Sequence, residues 1–222
     1  MFNSYSQDPQ FTQFYSNPLY LGPSFAGATD GSRFSTNYRN QWPGLPVSFQ
    51  TLSFSFDHYF SNFNSGVGIL AMKDQAGSGN LGILNLGIQY SYNFQIFNVW
   101  HVRPGLHFYY TEMGLDYFKL RLYNDVLADQ SSQPVFNPPV SEKARDVDAG
   151  TSILIYSERI WGGVSVDHLL KPNLSLYAEE YIIPLKFSVY GGYLQVKNSR
   201  LLNPIDETLT FATLFKMQNN QK

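Results

Sequence analysis

The sequence predicts an all-β fold, a transmembrane antiparallel β-barrel of the outer-membrane type. Polar and apolar residues alternate in segments of about ten, the length at which a tilted strand crosses a bilayer. Of the 222 residues, 17% are aromatic and only 14% are charged, whereas an average soluble domain carries about 25% charged residues. Mean hydropathy is nevertheless -0.24, and the sequence has no run of about 20 apolar residues that could form a membrane-spanning helix.

The clearest strand is the segment 84–94, LNLGIQYSYNF, in which six apolar or aromatic positions alternate with five that are polar or glycine. Successive side chains of a strand point to opposite faces, so this period of two gives one apolar and one polar side. The segment 100–110 repeats the pattern and places Arg103 and His107 opposite its apolar row. Because Pro104 has no N–H for a ladder bond, we expect a local bulge there.

Seven further segments complete a predicted set of nine strands, at 32–40, 47–60, 66–73, 148–157, 160–168, 185–196 and 207–217. Bacterial single-chain barrels normally have an even number of strands. We therefore expect that the sequence stops before the barrel closes. No signal peptide is visible at the N-terminus although a barrel protein needs export, so we also expect a processed or trimmed start.

The connections between the predicted strands indicate an orientation. Each odd-numbered connection is longer than the even-numbered one beside it, and the longest lie near 113–147 and 169–184. Outer-membrane barrels have short periplasmic turns and longer extracellular loops. The sequence thus predicts that residues 31–222 form the barrel in a bacterial outer membrane, with these two loops outside and the N-terminus periplasmic.

Residues 1–30 form a predicted N-terminal segment without strands. Pro9, Pro18 and Pro23 would each interrupt a ladder, since proline cannot donate a backbone hydrogen bond. The rings of this segment need burial, and we expect it to plug the lumen or to lie at the periplasmic mouth. The predicted anchors are Phe11, Phe14, Tyr15 and Tyr20. Deletion of residues 7–27 should then abolish stability or partner binding.

Charged side chains at inward positions of the strands predict a polar lumen. These residues are Arg33, Arg39, Asp57, Arg103 and His107. A charge on the lipid face costs about 2–4 kcal/mol at the bilayer midplane, so inward placement is favoured. Two roles stay open for them: a ladder that solvates the interior and stabilises the wall, or a selective channel or binding surface for a threaded peptide.

Six large rings lie near the predicted strand ends, where interfacial girdles of a barrel are found. They are Trp42, Tyr59, Phe60, Phe63, Trp100 and Trp161. A soluble β-sandwich, the alternative all-β fold, would place its rings towards strand centres. The ring positions and the alternating loop lengths therefore favour the membrane barrel.

Several kinds of chemistry find no support in the sequence. The chain has no cysteine and a net charge of -2, which excludes thiolate metal sites and gives no basic surface for nucleic acid. His101 and His107 share a strand face but lie about 20 Å apart at strand rise, too far to share a metal. Asp146 and Asp148 could form a catalytic pair, although a solvated loop end or lumen salt bridges suit them better, and no GxSxG elbow is present. We predict a non-enzymatic protein without metal or cofactor.

A series of ordered motifs gives a more specific indication than strand periodicity. They are QDPQFTQFYSNPLYLGPSFAG at 7–27, NYRNQWPGL at 37–45, SFD at 55–57, GILAMKDQAGSG at 68–79, VDHL at 166–169 and IPLK at 183–186. In this order and spacing the chain resembles the PorP/SprF family of outer-membrane proteins. The resemblance is close over the first half and more general after Met113.

The resemblance implies a 14-stranded outer-membrane barrel of the type IX secretion system of Bacteroidota. Such a protein helps to secrete, capture or anchor large surface adhesin or gliding proteins that carry a C-terminal secretion domain. The implied partners are these secreted proteins, other type IX components and the lipid or lipopolysaccharide of the outer membrane.

Aromatic residues in the two long loops are the predicted contacts with a partner protein, because exposed loop rings often anchor interfaces. They are Tyr117, Phe118, Tyr123, Phe136, Tyr177 and Tyr181. The competing interpretation is that the loops fold over the mouth and bury these rings. A passive porin is the alternative function, and a lipid-hydrolysing enzyme is disfavoured because no Ser–His pair is evident.

Overall fold

The computed structural model describes residues 8–9, 11, 13–44, 49–76, 81–97, 99–115, 143–177, 180–198 and 206–218. The strands are β1 (Ser32–Gln41), β2 (Phe49–Phe60), β3 (Ser65–Ala76), β4 (Leu81–Tyr92), β5 (Phe94–Ile96), β6 (Trp100–Gly114), β7 (Lys143–Tyr156), β8 (Ile160–Asp167), β9 (Lys186–Asn198) and β10 (Asp206–Gln218). The helical elements are one turn of α-helix, α1 (Pro18–Leu21), and 3₁₀ turns at Phe14–Ser16, Pro23–Phe25 and Ser61–Phe63.

The strands form one antiparallel meander that curls into a half-barrel. Each strand pairs with its neighbour in sequence, except that the short β5 continues the line of β4 and pairs with β6. In the described part of the chain, β1 and β10 are the two edge strands of the sheet. The all-β antiparallel prediction is confirmed, and all nine predicted segments are strands.

No helix in the part of the chain that the structure describes is long and apolar enough to cross a membrane.

Side chains alternate strictly between the two faces of the sheet. In β4, Leu86, Ile88 and Tyr90 are exposed on the outer face, whereas Gln89 and Ser91 are buried on the inner face. The same alternation of exposed apolar and buried polar residues runs through β2, β3, β6 and β7. An apolar outer wall around a polar interior is the arrangement that a barrel in lipid requires.

The prediction of a local bulge at Pro104 is wrong. The strand β6 keeps one unbroken register with β7 on one side, and with β4 and β5 on the other, so no residue is inserted. Instead the neighbouring strand, β4, is interrupted after Tyr92. The N–H of the next residue, Asn93, donates to the carbonyl oxygen of Asn64 at 2.7 Å. The ladder is thus broken opposite the proline, which has no N–H to offer.

The girdle interpretation is wrong for two of the six rings. Trp42, Phe60, Phe63 and Trp100 are exposed. Tyr59 instead faces inward, with the guanidinium carbon of Arg103 lying 5.3 Å from its ring centroid. Trp161 also faces inward and meets Phe25 edge-on at 6.1 Å. Both rings point inward because the alternation of side chains along β2 and β8 places them on the inner face.

The alternation of connection lengths is less regular than the sequence indicated. Strand β3 extends to Ala76 and β4 begins at Leu81, so the connection 77–80 is no longer than the turn 61–64. The long connections 115–142 and 168–185 remain at one end of the sheet, and the tight turns 61–64 and 157–159 lie at the other. We call these the loop end and the turn end.

Candidate functional site

The N-terminal segment, here residues 8–31, lies against the inner face of the sheet. Leu19 packs with Leu70, and Leu21 packs with Leu154. Polar contacts accompany them: the side-chain amide of Asn17 donates to Oγ of Ser53 at 2.9 Å. The segment therefore supplies the apolar and polar partners that the inner face of the wall needs.

Three of the four predicted anchors pack as rings within this arrangement. Phe11 and Tyr20 meet edge-on at 5.6 Å, and the hydroxyl of Tyr20 donates to the carbonyl oxygen of Pro9 at 2.7 Å. Phe14 packs against the cluster around Leu21. Tyr15 is 59% exposed, so the expected burial is wrong for this residue. It lies in the short 3₁₀ turn with its ring directed away from the sheet.

The turn at Ala26 and Gly27 is held from two sides by buried charges. Arg103, which is 1% exposed, donates to the carbonyl oxygens of Gly27 and Ala26, both at 2.7 Å, and to Oγ of Ser91 at 3.0 Å. The N–H of Gly27 donates to Oδ2 of Asp57 at 2.7 Å. Hydrogen bonds to charged groups are the strong ones in a low-dielectric interior. Buried charge-assisted hydrogen bonds therefore attach this turn to the inner face of the sheet.

Arg33 completes the same network. Its Nε and Nη2 donate to the two carboxylate oxygens of Asp57 at 2.9 and 3.1 Å, and Nη2 also reaches the carbonyl oxygen of Phe25 at 3.0 Å. Of the five predicted lumen residues, the structure thus brings Arg33, Asp57 and Arg103 together around the Ala26–Gly27 turn. Arg39 lies apart and bonds to the side chain of Gln41.

Glycines in the wall allow the segment to approach this closely. A Cβ on Gly66 would overlap the carbonyl group of Ala26. We expect Gly66→Ala to push the turn away from the wall and to lower the free energy of unfolding by about 1–3 kcal/mol, the usual cost of overpacking. Stability is measured on the detergent-solubilised protein as the urea concentration at which half of it has lost the heat-modifiable gel mobility of the folded form.

Gly162→Ala is the matched control, because a Cβ there meets no atom closer than 3.5 Å. Equal urea midpoints for the two variants would contradict the close approach of the turn to Gly66.

A cluster of five ionisable groups lies at the loop end of the inner face. Oδ2 of Asp8 accepts from Nζ of Lys186 at 2.6 Å and lies 3.1 Å from Nε2 of His168. The other ring nitrogen of His168 lies 2.7 Å from Oδ2 of Asp148. Nζ of Lys186 also contacts Oδ2 of Asp167 at 3.0 Å. We call these five residues the lumen charge cluster; it ties the start of the N-terminal segment to β7, β8 and β9.

The protonation of this cluster follows from its contacts. Burial would lower the pKa of His168, but hydrogen bonds with Asp148 and Asp8 raise it to about 9. Burial likewise opposes ionisation of Asp8, yet the charge of Lys186 and the contact with His168 hold the pKa of this carboxyl well below its usual range. At neutral pH the segment is therefore fastened by a carboxylate between two cations.

Sequence reasoning did not single out this cluster as a site, although a signal for it was present. Asp167 and His168 belong to the VDHL motif, and Lys186 ends the IPLK motif. Each motif places a polar or charged residue at the loop-side end of an apolar strand. The contact with Asp8 could not be read from the sequence, since 178 positions separate it from Lys186.

His107 lies beside the cluster and is almost fully buried. Its Nε2 is 3.7 Å from Oδ1 of Asp167, and neither ring nitrogen has a hydrogen-bond partner among the described residues. It lines a cavity of about 60 Å³ together with Tyr20 and Asn85. A polar cavity of this size fits no more than a few water molecules.

The connection 168–185 folds back over the loop end. Asn173 and Ile182 form a β-bridge, and the N–H of Leu174 donates to the carbonyl oxygen of Tyr181 at 3.0 Å. Leu174 is 1% exposed and packs with Met113 at the end of β6. The described part of this long connection is therefore a packed element and not a free loop.

An apolar cleft of about 270 Å³ opens beside this element. Its apolar lining includes Pro9, Ile83, Met113, Leu174, Leu176, Tyr177 and Tyr181. We call it the mouth cleft. It combines the start of the N-terminal segment, the loop-side ends of β3, β4 and β6, and the connection 168–185.

The predicted partner contacts divide into two groups. Tyr177 is 50% exposed at the edge of the mouth cleft, while Tyr181 packs against the buried cluster around Leu174. Folding of the loop thus covers one of these rings and leaves the other accessible. The remaining predicted contacts, Tyr117, Phe118, Tyr123 and Phe136, lie outside the described residues.

Comparison with known families decides the classification. A family model described as type IX secretion system membrane protein PorP/SprF matches residues 3–222. The chain belongs to the PorP/SprF family. The match covers nearly the whole chain, beyond the first half where the motifs are most specific. No curated protein and no solved structure matches the chain. This PorP/SprF chain is therefore a membrane component of the type IX secretion system with a barrel-like antiparallel sheet.

Proposed function

We propose that this PorP/SprF chain is a non-enzymatic outer-membrane protein that helps to secrete, capture or anchor a large surface protein of the type IX system. The observation that carries the proposal is the mouth cleft at the loop end, an apolar site with an exposed tyrosine at its edge. Exposed aromatic side chains beside an apolar cleft are typical anchors of protein interfaces. The secreted partner would insert side chains there.

The orientation in the proposal places the loop end outside the cell and the turn end in the periplasm, because outer-membrane barrels have longer extracellular loops. Strand β1 then begins on the periplasmic side. Asp8 is bound to Lys186 at the loop end, so the N-terminal segment runs through the interior from the extracellular mouth to the periplasmic start of β1. In this orientation the start of β1 is periplasmic and Asp8 lies at the extracellular mouth.

A passive porin, the alternative, needs an open interior. In the described part of the chain the inner face is covered by the N-terminal segment, with Leu19 and Ser24 almost completely buried against it. The cavity beside His107 has a volume of only about 60 Å³. These observations favour a binding role over a conducting one.

Tyr177→Ala tests the proposed mouth contact. We expect the amount of secreted surface protein that copurifies with the solubilised barrel to fall about fivefold or more, the effect of truncating an interface ring worth about 1 kcal/mol or more. Copurified proteins would be quantified by mass spectrometry after gentle solubilisation from the native membrane.

Tyr193→Ala is the matched control, since it removes the same ring from the outer wall near the turn end. Equal recovery of secreted proteins with both variants would contradict the mouth contact. Recovery of a solitary barrel that conducts ions across a planar bilayer would favour the porin instead.

A further inference from the structure

The outer wall contains an apolar groove of about 500 Å³ whose lining includes Ala71. Ala71 is small, and the register places it between the larger Phe54 and Leu86 on the neighbouring strands. Ile69 and Phe56 extend the groove towards the turn end in the next outward row. A small side chain among large ones leaves a depression in an otherwise continuous apolar surface, and all four larger residues are exposed.

The next outward row towards the loop end is charged. Lys73 follows Ala71 by two positions in β3, and the register continues from Lys73 through Leu84 to Glu112 and Arg145. Glu112 accepts from Nε of Arg145 at 2.8 Å and from Nζ of Lys143 at 2.7 Å. We call Lys73, Glu112, Lys143 and Arg145 the charged rim. Lys143 and Arg145 share the carboxylate of Glu112 and Lys73 adds a third cation, so the four side chains together carry a net positive charge.

The height of the rim marks a boundary of the apolar wall. Charged side chains on the lipid face become tolerable only near the interface, where their cost falls to about 0–1 kcal/mol. The side chains of Lys143 and Arg145 are 57% and 58% exposed, so their charged ends lie at the surface of the wall. The groove therefore lies at acyl-chain depth and the rim at headgroup depth.

We propose that the groove and the charged rim together bind a phosphorylated lipid, with an acyl chain in the groove over Ala71 and the phosphate on Lys73 and Arg145. Apolar burial favours the chain, and the planar guanidinium fork of arginine suits phosphate oxygens. Basic side chains at a membrane surface each contribute to attraction of anionic headgroups. The site lies on the outer wall and is independent of what enters the mouth cleft.

The test measures binding of dioleoylphosphatidic acid to the full chain in dodecyl maltoside by native mass spectrometry, with dioleoylphosphatidylcholine as the zwitterionic comparison. We expect the phosphatidic acid to bind more tightly. Lys73→Gln and Arg145→Gln should each weaken its binding about fivefold, the contribution expected of one basic residue near an anionic headgroup. Arg159→Gln, which removes an exposed cation at the turn end, is the control and should leave the binding unchanged.

Glu112→Gln gives a result of opposite sign. It neutralises the carboxylate that Arg145 and Lys143 share and should strengthen lipid binding. If the charged rim only held β6 to β7, every substitution in it would instead weaken lipid binding. Equal binding of the two lipids, or equal effects of Arg145→Gln and Arg159→Gln, would overturn the proposal.

Ala71→Trp tests the groove separately. The added ring fills the depression on the lipid side without entering the interior, and we expect it to weaken phosphatidic acid binding while retained heat-modifiable mobility shows that the sheet is intact. Unchanged binding in this variant, combined with complete displacement of the lipid by inorganic phosphate, would show that the rim takes phosphate alone and would overturn the assignment to a lipid.

Discussion

Replacement of Arg103 by leucine is expected to lower the free energy of unfolding by about 3–5 kcal/mol, because it leaves buried acceptors without their charged donor. Arg103 supplies hydrogen bonds to the carbonyl oxygens of Ala26 and Gly27 and to Ser91. Leucine fills part of the volume but donates nothing. The N-terminal segment should then leave the wall at the Ala26–Gly27 turn.

Two measurements check this result in the detergent-solubilised full chain. The urea midpoint of the heat-modifiable form reports stability, and the rate of chymotrypsin cleavage at Phe14 or Tyr20 reports release of the segment. Arg103→Lys should give an intermediate loss, since a single ammonium cannot match the two-sided guanidinium fork. Arg159→Leu is the control at an exposed arginine. A midpoint for Arg103→Leu equal to that of the control would contradict the role of Arg103.

The sequence indicates the face of the sheet to which Arg103 points, but it does not indicate the partners of Arg103. Period-two alternation indicates which side of the wall a residue takes, since that depends only on parity along one strand. Thus the segments 84–94 and 100–110 are strands with the predicted inward residues, and Arg103 and His107 are both almost fully buried. Its two backbone partners, Gly27 and Ala26, lie 76 and 77 positions away in a segment without any period.

Two aromatic rings show that the position of a residue along a strand does not tell to which face of the sheet it points. Tyr59 and Trp161 lie near strand ends, as interfacial rings do, yet both face inward. The alternation of side chains along β2 and β8 places both rings on the inner face, the face of Asp57 and Ser165. The position of a ring along its strand gives only its height on the wall. The face to which the ring points is set by the alternation along the strand, because a one-residue shift would turn every side chain of the strand to the other face.

Pro104 shows a different limit. The absence of an N–H requires an interruption somewhere in the ladder, but it does not say which strand yields. Here β6 keeps its register, β4 ends at Tyr92 opposite Pro104, and the pairing with β6 resumes in β5 at Phe94. A bulge in β6 and a break between β4 and β5 could therefore not be distinguished from the sequence.

His168 makes the docking of the N-terminal segment dependent on pH. Its pKa is about 9 in the folded protein against an ordinary value of 6.5. A group whose pKa is raised by folding stabilises the folded state fully below its unfolded pKa and loses that contribution as the pH rises through its folded pKa. We therefore expect stability to fall by up to about 3 kcal/mol between pH 6.5 and 9, because each tenfold gain in proton affinity on folding corresponds to about 1.4 kcal/mol.

Asp8 acts in the other direction. Its pKa is depressed below the ordinary 3.8, so its contribution is present above that value and is lost only when the pH falls through the depressed pKa. The charges around His168 are Asp8 on the N-terminal segment, Asp148 on β7 and Lys186 on β9. The cluster should hold the segment most firmly in mildly acidic solution, between about pH 4 and 6.5.

His168→Asn is the substitution that separates this titration from a packing effect. His168 has a φ of 63°, a left-handed conformation that asparagine tolerates better than most residues. The urea midpoint of the variant should be lower than that of the unmodified chain at pH 6 and should approach it at pH 9. His58→Asn, at the turn end, removes an imidazole without touching the cluster.

The shape of the pH profile decides between two roles for His168. If the imidazolium fastens Asp8 to Asp148, the stability difference between variant and unmodified chain closes as the pH rises through 9, because the neutral ring can no longer donate to both carboxylates. If the ring only fills space at the end of β8, the difference is the same at every pH. A constant difference would therefore exclude the charged contact as the fastening of the segment.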